Sequence, residues 1–172
     1  GAVDIGLVGD TPVVYAQAAA TDFYYVAAQS FPGLIGTGIL VPKNSAVTSL
    51  VQLRGKKIAY TKGSAAEFAL AVGLKQSGLA LEDIQPANLA PGDAQTALAN
   101  GAIDGWVIWD PFYTLAQLRN GARAVALPSS NINTVAYYIA SGSFVRDRTD
   151  VLRATLDELR TEAEWGNAHR LY

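Results

Sequence analysis

The 172-residue sequence has no cysteine, no methionine and one histidine, His169. Without thiols there is no disulfide framework, no thiol nucleophile and no cysteine-ligated zinc or iron–sulfur centre, and a lone histidine argues against histidine-rich metal chemistry. Charge is sparse as well: 16% of residues are Asp, Glu, Lys or Arg, and the formal net charge is −2. The 13 cations are spread from Lys43 onward and form no basic stripe, so the footprint of a nucleic-acid binder is missing. Two stretches, Phe23 to Pro42 and Ala124 to Val145, carry no charged side chain and are long enough to raise the question of a membrane span. Pro32-Gly33 with Gly36 and Gly38 breaks the first and Pro128-Ser129-Ser130-Asn131 the second, so each reads as two buried strands around a turn or connection. No charged segment followed by an apolar run opens the chain. Ala2 to Val8 reads as the middle of a strand, which suggests a fragment of a longer protein.

Half of the residues are hydrophobic, enough for a sizeable core in one domain or two small lobes. The apolar pattern switches between short continuous runs and stretches of period 3.6, the mark of an α/β chain with a parallel sheet. Strands are expected at Val3 to Val8, Phe23 to Ala28, Gly38 to Val41, Lys57 to Tyr60, Ile84 to Leu89, Gly105 to Trp109, Ala124 to Leu127 and Val135 to Ala140. Helices are expected at Thr11 to Ala20, Ala65 to Ser77, Ala94 to Asn100 and Pro111 to Arg119, with Gly78, Gly101 and Gly121 placed to end three of them. A short helix at Leu50 to Leu53 leads into the Lys57 strand. From Arg146 to Arg170 five arginines and six acids surround Leu152, Leu156, Leu159 and Ala163, the pattern of an amphipathic surface helix that Thr149 or Asp150 can cap.

Four strand-to-helix junctions share one design. At Gly9-Asp10-Thr11-Pro12 an N-cap residue, Asp10 or Thr11, precedes a first-turn proline. At Gly63-Ser64-Ala65-Ala66-Glu67 the spacing of Ser64 and Glu67 is a capping box, with a glycine before it for the sharp turn. Pro91-Gly92-Asp93 is the third. Trp109-Asp110-Pro111 repeats the capping acid and proline. All four fall at carboxyl ends of strands expected to be parallel, where open α/β sheets bind ligands. A helix N-terminus offers unpaired N–H groups and about half a positive charge, so several facing one cleft suit an anion without any cation; at a single junction the same residues serve as ordinary helix caps. Phe68, Trp106, Trp109, Phe112 and Tyr113 could wall an organic ligand or belong to the core. The Gly33 to Gly38 run is no dinucleotide fingerprint, since its spacing is reversed and it leads into a strand. No Walker motif, no Ser/His/Asp order and no paired acids support nucleophilic or acid–base catalysis.

These junctions carry a family resemblance. Val3-Asp4-Ile5-Gly6, Gly9-Asp10-Thr11-Pro12, Leu40-Val41-Pro42-Lys43, Leu53-Arg54-Gly55-Lys56-Lys57-Ile58-Ala59, Lys62-Gly63-Ser64, Asp93-Ala94 and above all Asp104-Gly105-Trp106-Val107-Ile108-Trp109-Asp110-Pro111 resemble the solute-binding proteins of ABC importers for aliphatic sulfonates, taurine and nitrate, nearest the sulfonate branch. The resemblance implies a type II periplasmic-binding-protein fold: two α/β lobes with mostly parallel sheets, joined by two crossing strands. Residues 1–42 and 129–172 would form a partial first lobe and 43–128 a complete second, with crossings near Ile39 to Pro42 and Ser129 to Thr134. A leading βαβ portion with its signal peptide, and closing helices after Tyr172, would lie outside the sequence.

The same resemblance implies a non-enzymatic protein that captures a sulfonate and hands it to membrane permease subunits. It would use no cofactor, metal or nucleic acid, and would meet the membrane only through the permease. The location implied is the periplasm, or lipid-anchored outside the cytoplasm in a one-membrane bacterium. The ligand-binding residues implied are Gly9, Asp10, Thr11 and Pro12 on one wall and Gly63, Ser64 and Ala65 on the other, with Trp109 and Asp110 completing the pocket, Phe68 along the organic tail and Tyr138 on the return strand. Asp10 and Asp110 fit an anion site if their carboxylates cap their own helices; facing the cleft, they would ask for a ligand amine. The alternatives are a nitrate-binding importer component or an enzyme on the same fold, of the pyrimidine-precursor or menaquinone-pathway type, which would want a histidine or activated acid in the cleft.

Overall fold

The computed structural model describes residues 3–32, 36–127 and 133–169. Its strands form two sheets. β1 (Ile5–Val8), β8 (Asn133–Ser141) and β2 (Phe23–Pro32) make one, in that spatial order. The other runs β5 (Gln85–Asn88), β4 (Lys57–Tyr60), β6 (Gly105–Trp109), β3 (Thr37–Val41) and β7 (Arg123–Val125). The helices are α1 (Asp10–Ala18), α2 (Ala65–Gln76), α3 (Pro91–Ala99), α4 (Phe112–Asn120), α5 (Gly142–Asp147) and α6 (Thr149–Ala168).

The five-stranded sheet is covered on both faces, and its strand sequences show why. Ile39 and Val41 of β3 point into one core with Ile58, Val107 and the α2 residues Ala66, Ala69, Leu70 and Leu74. Leu40, between them, points into the other with Ala59, Trp106 and Ile108, against Ala94 and Leu98 of α3 and Ala116 of α4. A period of two with every position apolar is what a strand buried on both faces requires. On α2, Ala66, Ala69, Leu70, Gly73 and Leu74 are buried, a stripe at helical spacing. At Gly73 a methyl group would come within 2.6 Å of Leu127 Cδ2, so the absent side chain lets the helix lie close. Gly121 ends α4 in the left-handed region, φ +64°. Its amide donates to the Gln117 carbonyl at 3.1 Å and that of Ala122 to Ala116 at 3.2 Å, satisfying carbonyls the helix end would strand.

Three expectations change. Among the described residues parallel pairing is confined to β4 with β5 and β6; β3 runs antiparallel to β6 and β7, and β8 antiparallel to β1 and β2. The reason is entry: β3 arrives from the other sheet at the edge where β6 ends, with Thr37 opposite Trp109, and has to run against it. For the same reason the first crossing is not at Ile39 to Pro42. Ile39, Leu40 and Val41 are fully buried within the five-stranded sheet, where β3 already pairs from Thr37, while Phe23–Pro32 pair in the other sheet. The return expected at Ser129 to Thr134 lies mostly outside the described residues, and β8 resumes at Asn133. Finally, the single C-terminal helix is two. Ser141 caps α5 by accepting from the Phe144 amide at 3.3 Å, Arg148 leaves helical geometry at φ −135°, and Thr149 opens α6 without acting as its cap, its hydroxyl donating to the Val145 carbonyl at 2.6 Å. Among the described residues no helix is long and apolar enough to cross a membrane.

Leu70 is fully buried and Leu118 is 77% exposed. Leu70→Ala is expected to cost about 3 kcal/mol, a transfer term plus a cavity term. Leu118→Ala should stay within about 0.5 kcal/mol. Urea unfolding followed by circular dichroism checks both, and equal effects would show that the α2 face is not the core described.

Candidate functional site

Strand polarity gathers the loops. Because β4, β5 and β6 are parallel, the turns after Tyr60, Asn88 and Trp109 leave one edge of the sheet. The Thr61 hydroxyl donates to the Leu89 carbonyl at 3.0 Å and the Lys62 amide to Asn88 Oδ1 at 3.0 Å, tying two of these turns together. The Asp110 amide donates to the Gly36 carbonyl at 2.7 Å, joining the third to the incoming crossing. In the other sheet β1 ends at Val8, opposite Tyr137 near the beginning of β8, and the Gly9 turn follows.

The starts of α1 and α2 meet. A methyl group on Gly9 would stand 3.6 Å from the Cβ of Ala65, and the Tyr15 phenol on α1 donates to Glu67 Oε2 on α2 at 3.2 Å. Gly9 is the N-cap of α1, in extended geometry and with no side-chain cap. Asp10 and Thr11 thus sit inside the first turn and do not cap it, because the chain becomes helical one residue earlier than the polar pattern suggests. Asp10 Oδ1 accepts from the Thr11 amide at 2.8 Å, and Pro12 contributes no donor.

On α2, Gly63 takes φ +76°, Ser64 is the N-cap, and its Oγ accepts from the Ala66 amide at 3.2 Å while donating to the Thr61 carbonyl at 2.6 Å. The expected capping box forms one residue out of place: the Glu67 carboxylate accepts from the Gly63 amide at 2.7 Å, not from Ser64. Gly63, one of the anticipated anion donors, is therefore already engaged. The Ser64 and Ala65 amides have no acceptor among the described residues.

At the other junctions, α3 begins at Pro91 behind the extended Ala90, leaving Asp93 in the first turn. Asp110 precedes a cis peptide bond to Pro111. Its Oδ1 accepts from the Thr114 amide at 3.0 Å and hydroxyl at 2.7 Å, so it ties down its own helix although Pro111 is the residue flanking Phe112. Each aspartate thus bonds to a threonine at its own helix start, although Asp10 does not cap α1. Trp109 packs against both cores of its sheet, and Phe68 is 39% exposed beyond the α2 start. Tyr138 is not brought to this group. It lines a separate hollow of about 420 Å³ with Val26, Leu156, Leu159 and Arg160, on the side of the three-stranded sheet that α6 covers.

A family model described as NMT1/THI5 like matches residues 1–169. The chain belongs to the NMT1/THI5-like family. It is 36% identical over 156 residues to a protein of Escherichia coli (strain K12) named an aliphatic sulfonates-binding protein, a match covering 91% of this chain and 49% of that one. A Bacillus subtilis (strain 168) protein of the same name is 32% identical over 168 residues, 97% of this chain and 50% of that one. The solved structure of the alkanesulfonate-binding protein SsuA from Xanthomonas axonopodis pv. citri bound to MOPS superposes with a TM-score of 0.83 at 34% identity, over 94% of this chain and 55% of that chain. The fold is that of these sulfonate-binding proteins, and the chain spans about half the length of the curated relatives it matches.

Within this NMT1/THI5-like framework, sequence reasoning missed two residues. Tyr15 passed for an ordinary helix residue and Glu67 for a capping partner. The available signal was position, since each lies about one turn into a helix whose start was already suspected. Glu67 sets the electrostatics here. Its carboxylate is the main cause holding the Tyr15 phenol above its ordinary range, ahead of burial and of the hydrogen bond between them. Tyr60, at the end of β4, is raised first by burial and then by Glu67 and Tyr15.

The Tyr15–Glu67 contact is made by the neutral phenol, so it contributes below the ordinary tyrosine value near 10 and is lost as pH rises through the raised one. Ultraviolet difference titration of wild type against Tyr15→Phe should show Tyr15 ionising above that ordinary value, and Glu67→Gln should bring it down. A Tyr15 transition that Glu67→Gln leaves in place would remove Glu67 as its cause.

Proposed function

We propose that the chain is part of the solute-binding component of an ABC importer, capturing an aliphatic sulfonate between two lobes built on the two sheets and delivering it to membrane permease subunits from the periplasm. The observation that carries the reading is the meeting of two helix N-termini from different sheets, with Gly9 against Ala65. A sulfonate has three acceptor oxygens and no proton to lose near neutral pH, so it asks for donors. The turns offer amides at Ser64 and Ala65 and two positive dipole ends, while the Thr11 hydroxyl already donates to Asp10 Oδ1 at 3.3 Å. Trp109, Asp110 and Phe68 stand at the same edge of the second lobe, where an organic tail would leave the anion site.

Binding without chemistry suits this composition. His169, the one histidine, stacks on Trp165 at 4.6 Å near the end of α6 and is no partner for an acid at the helix starts. The names of the similar proteins support the same class.

The test is calorimetry on the complete natural protein with methane-, ethane- and butanesulfonate, taurine, nitrate and sulfate. Heat with the sulfonates is expected; silence across the panel would overturn the reading, and heat with nitrate alone would move it to the nitrate branch. Ser64→Pro removes an amide of the cleft and the cap hydroxyl together. It should abolish sulfonate binding while leaving much of the five-stranded unit folded by circular dichroism, and unchanged affinity in that variant would rule out the helix-terminus mechanism.

A further inference from the structure

Glu67 is placed where the solute's own charge is expected. A first-turn glutamate in a capping box closes on the amide of its N-cap. Glu67 passes Ser64 by and takes the next amide outward, Gly63 at 2.7 Å, with the same oxygen, Oε2, also accepting from the Tyr15 phenol at 3.2 Å. One carboxylate oxygen therefore joins the start of α2 to α1, which follows a strand of the other sheet. The arrangement is that of an oxyanion held by an amide and a hydroxyl from opposite walls, except that the oxyanion belongs to the protein.

We propose that Glu67 is the built-in competitor of the solute: in the free protein its carboxylate occupies the Gly63 amide and the Tyr15 hydroxyl, and a bound oxyanion takes these donors after Glu67 has swung out. The inference rests on the sulfonate-binding reading and names the residue that sets the site's affinity. Two charges of the same sign cannot share one donor cluster cheaply. A sulfonate arriving at Ser64 and Ala65 meets the Glu67 carboxylate on the adjacent amide, and the energy of releasing that carboxylate is subtracted from binding. The bond to Tyr15 gives the empty protein a contact between the two walls, so part of the closed arrangement exists before solute arrives. Asp10 and Asp110 do not share this role, since each bonds to its own threonine.

The variant that isolates the charge is Glu67→Gln, which keeps an amide oxygen able to accept from Gly63 and Tyr15 but carries no charge. Ethanesulfonate and butanesulfonate titrated into the complete protein should bind Glu67→Gln about 10-fold more tightly than wild type, or about 1.4 kcal/mol. Glu67→Asp, one methylene shorter and unable to span both partners, should fall between them. A purely structural capping residue gives the opposite pattern, with affinity equal or lower in Glu67→Gln and melting temperature reduced without solute. Wild type that binds while Glu67→Gln binds no better overturns this inference alone. Silence of both proteins overturns the sulfonate reading and the inference together, whereas binding by Glu67→Gln with wild type silent supports both. Should Glu67→Gln not fold, Glu67→Ala decides: it removes the carboxylate and leaves both donors in place, so ethanesulfonate should bind about 10-fold more tightly than to wild type, and weaker or equal binding overturns the proposal.

Discussion

Strand polarity at one sheet edge is the constraint on which the rest of the molecule depends. β4, β5 and β6 are parallel and stop at the same edge; β3 is antiparallel to β6 and starts there, with Thr37 opposite Trp109. The crossing from the other sheet must therefore enter beside the turns that begin α2, α3 and α4. Had β3 paired parallel to β6, the crossing would enter at the far edge, roughly 15 Å away at about 3.3 Å per residue over these short strands. The start of α1 could not then lie against the start of α2. The buried β3 residues Ile39, Leu40 and Val41 thus do more than fill two cores, because their direction decides which loops share a cleft.

Bringing two helix starts together has an electrostatic cost. Two partial charges of about +0.5 at roughly 6 Å repel by about 0.7 kcal/mol at an effective dielectric of ~20. That is small beside the burial of a single leucine, about 2 kcal/mol, so the cores set the approach and the dipoles adapt to it. Each first turn carries an acid, Asp10 on α1 and Glu67 on α2, which offsets the repulsion. On the reading proposed above, the same positive helix ends would draw an anion from solution, and solute and side-chain acids would compete for one source of attraction.

Much of this was legible in the sequence because it is encoded locally. The alternation of strands and helices, the buried runs of β3, β4 and β6, the Gly63 turn before Ser64 and the stops at Gly78, Gly101 and Gly121 each depend on neighbours within a few residues. The Asp104 to Pro111 run carried the family. What escaped is non-local. A strand's apolar pattern is the same whichever way its partner runs, so the antiparallel entry of β3 and β8 left no mark. Tyr137 and Tyr138 occupy adjacent positions of opposite facing, and only the register of β8 between β1 and β2 sends Tyr138 toward α6. Tyr15 and Glu67 are 52 residues apart, and no spacing rule reaches that far. Gly9 capping α1 was a local miss: polar side chains at Asp10 and Thr11 outweighed a glycine that caps with backbone alone.

Side-chain length separates Glu67 from Asp10 and Asp110. Asp10 and Asp110 have a single methylene, and their carboxylates fold back onto the Thr11 and Thr114 groups of their own turns. They neutralise helix ends that would otherwise be bare, and they remain inside their own units. Glu67 has one methylene more. From the first turn of α2 it reaches beyond its N-cap to Gly63 and across to Tyr15. A carboxylate confined to its own helix exerts much the same field whether the two walls are near or far, whereas one bonded to both walls keeps both bonds only while they are near. Among the described residues, Glu67 is the acid of these first turns that bonds to both helix starts, and on the proposal made above that contact is what would couple the charge of the site to the separation of the two sheets.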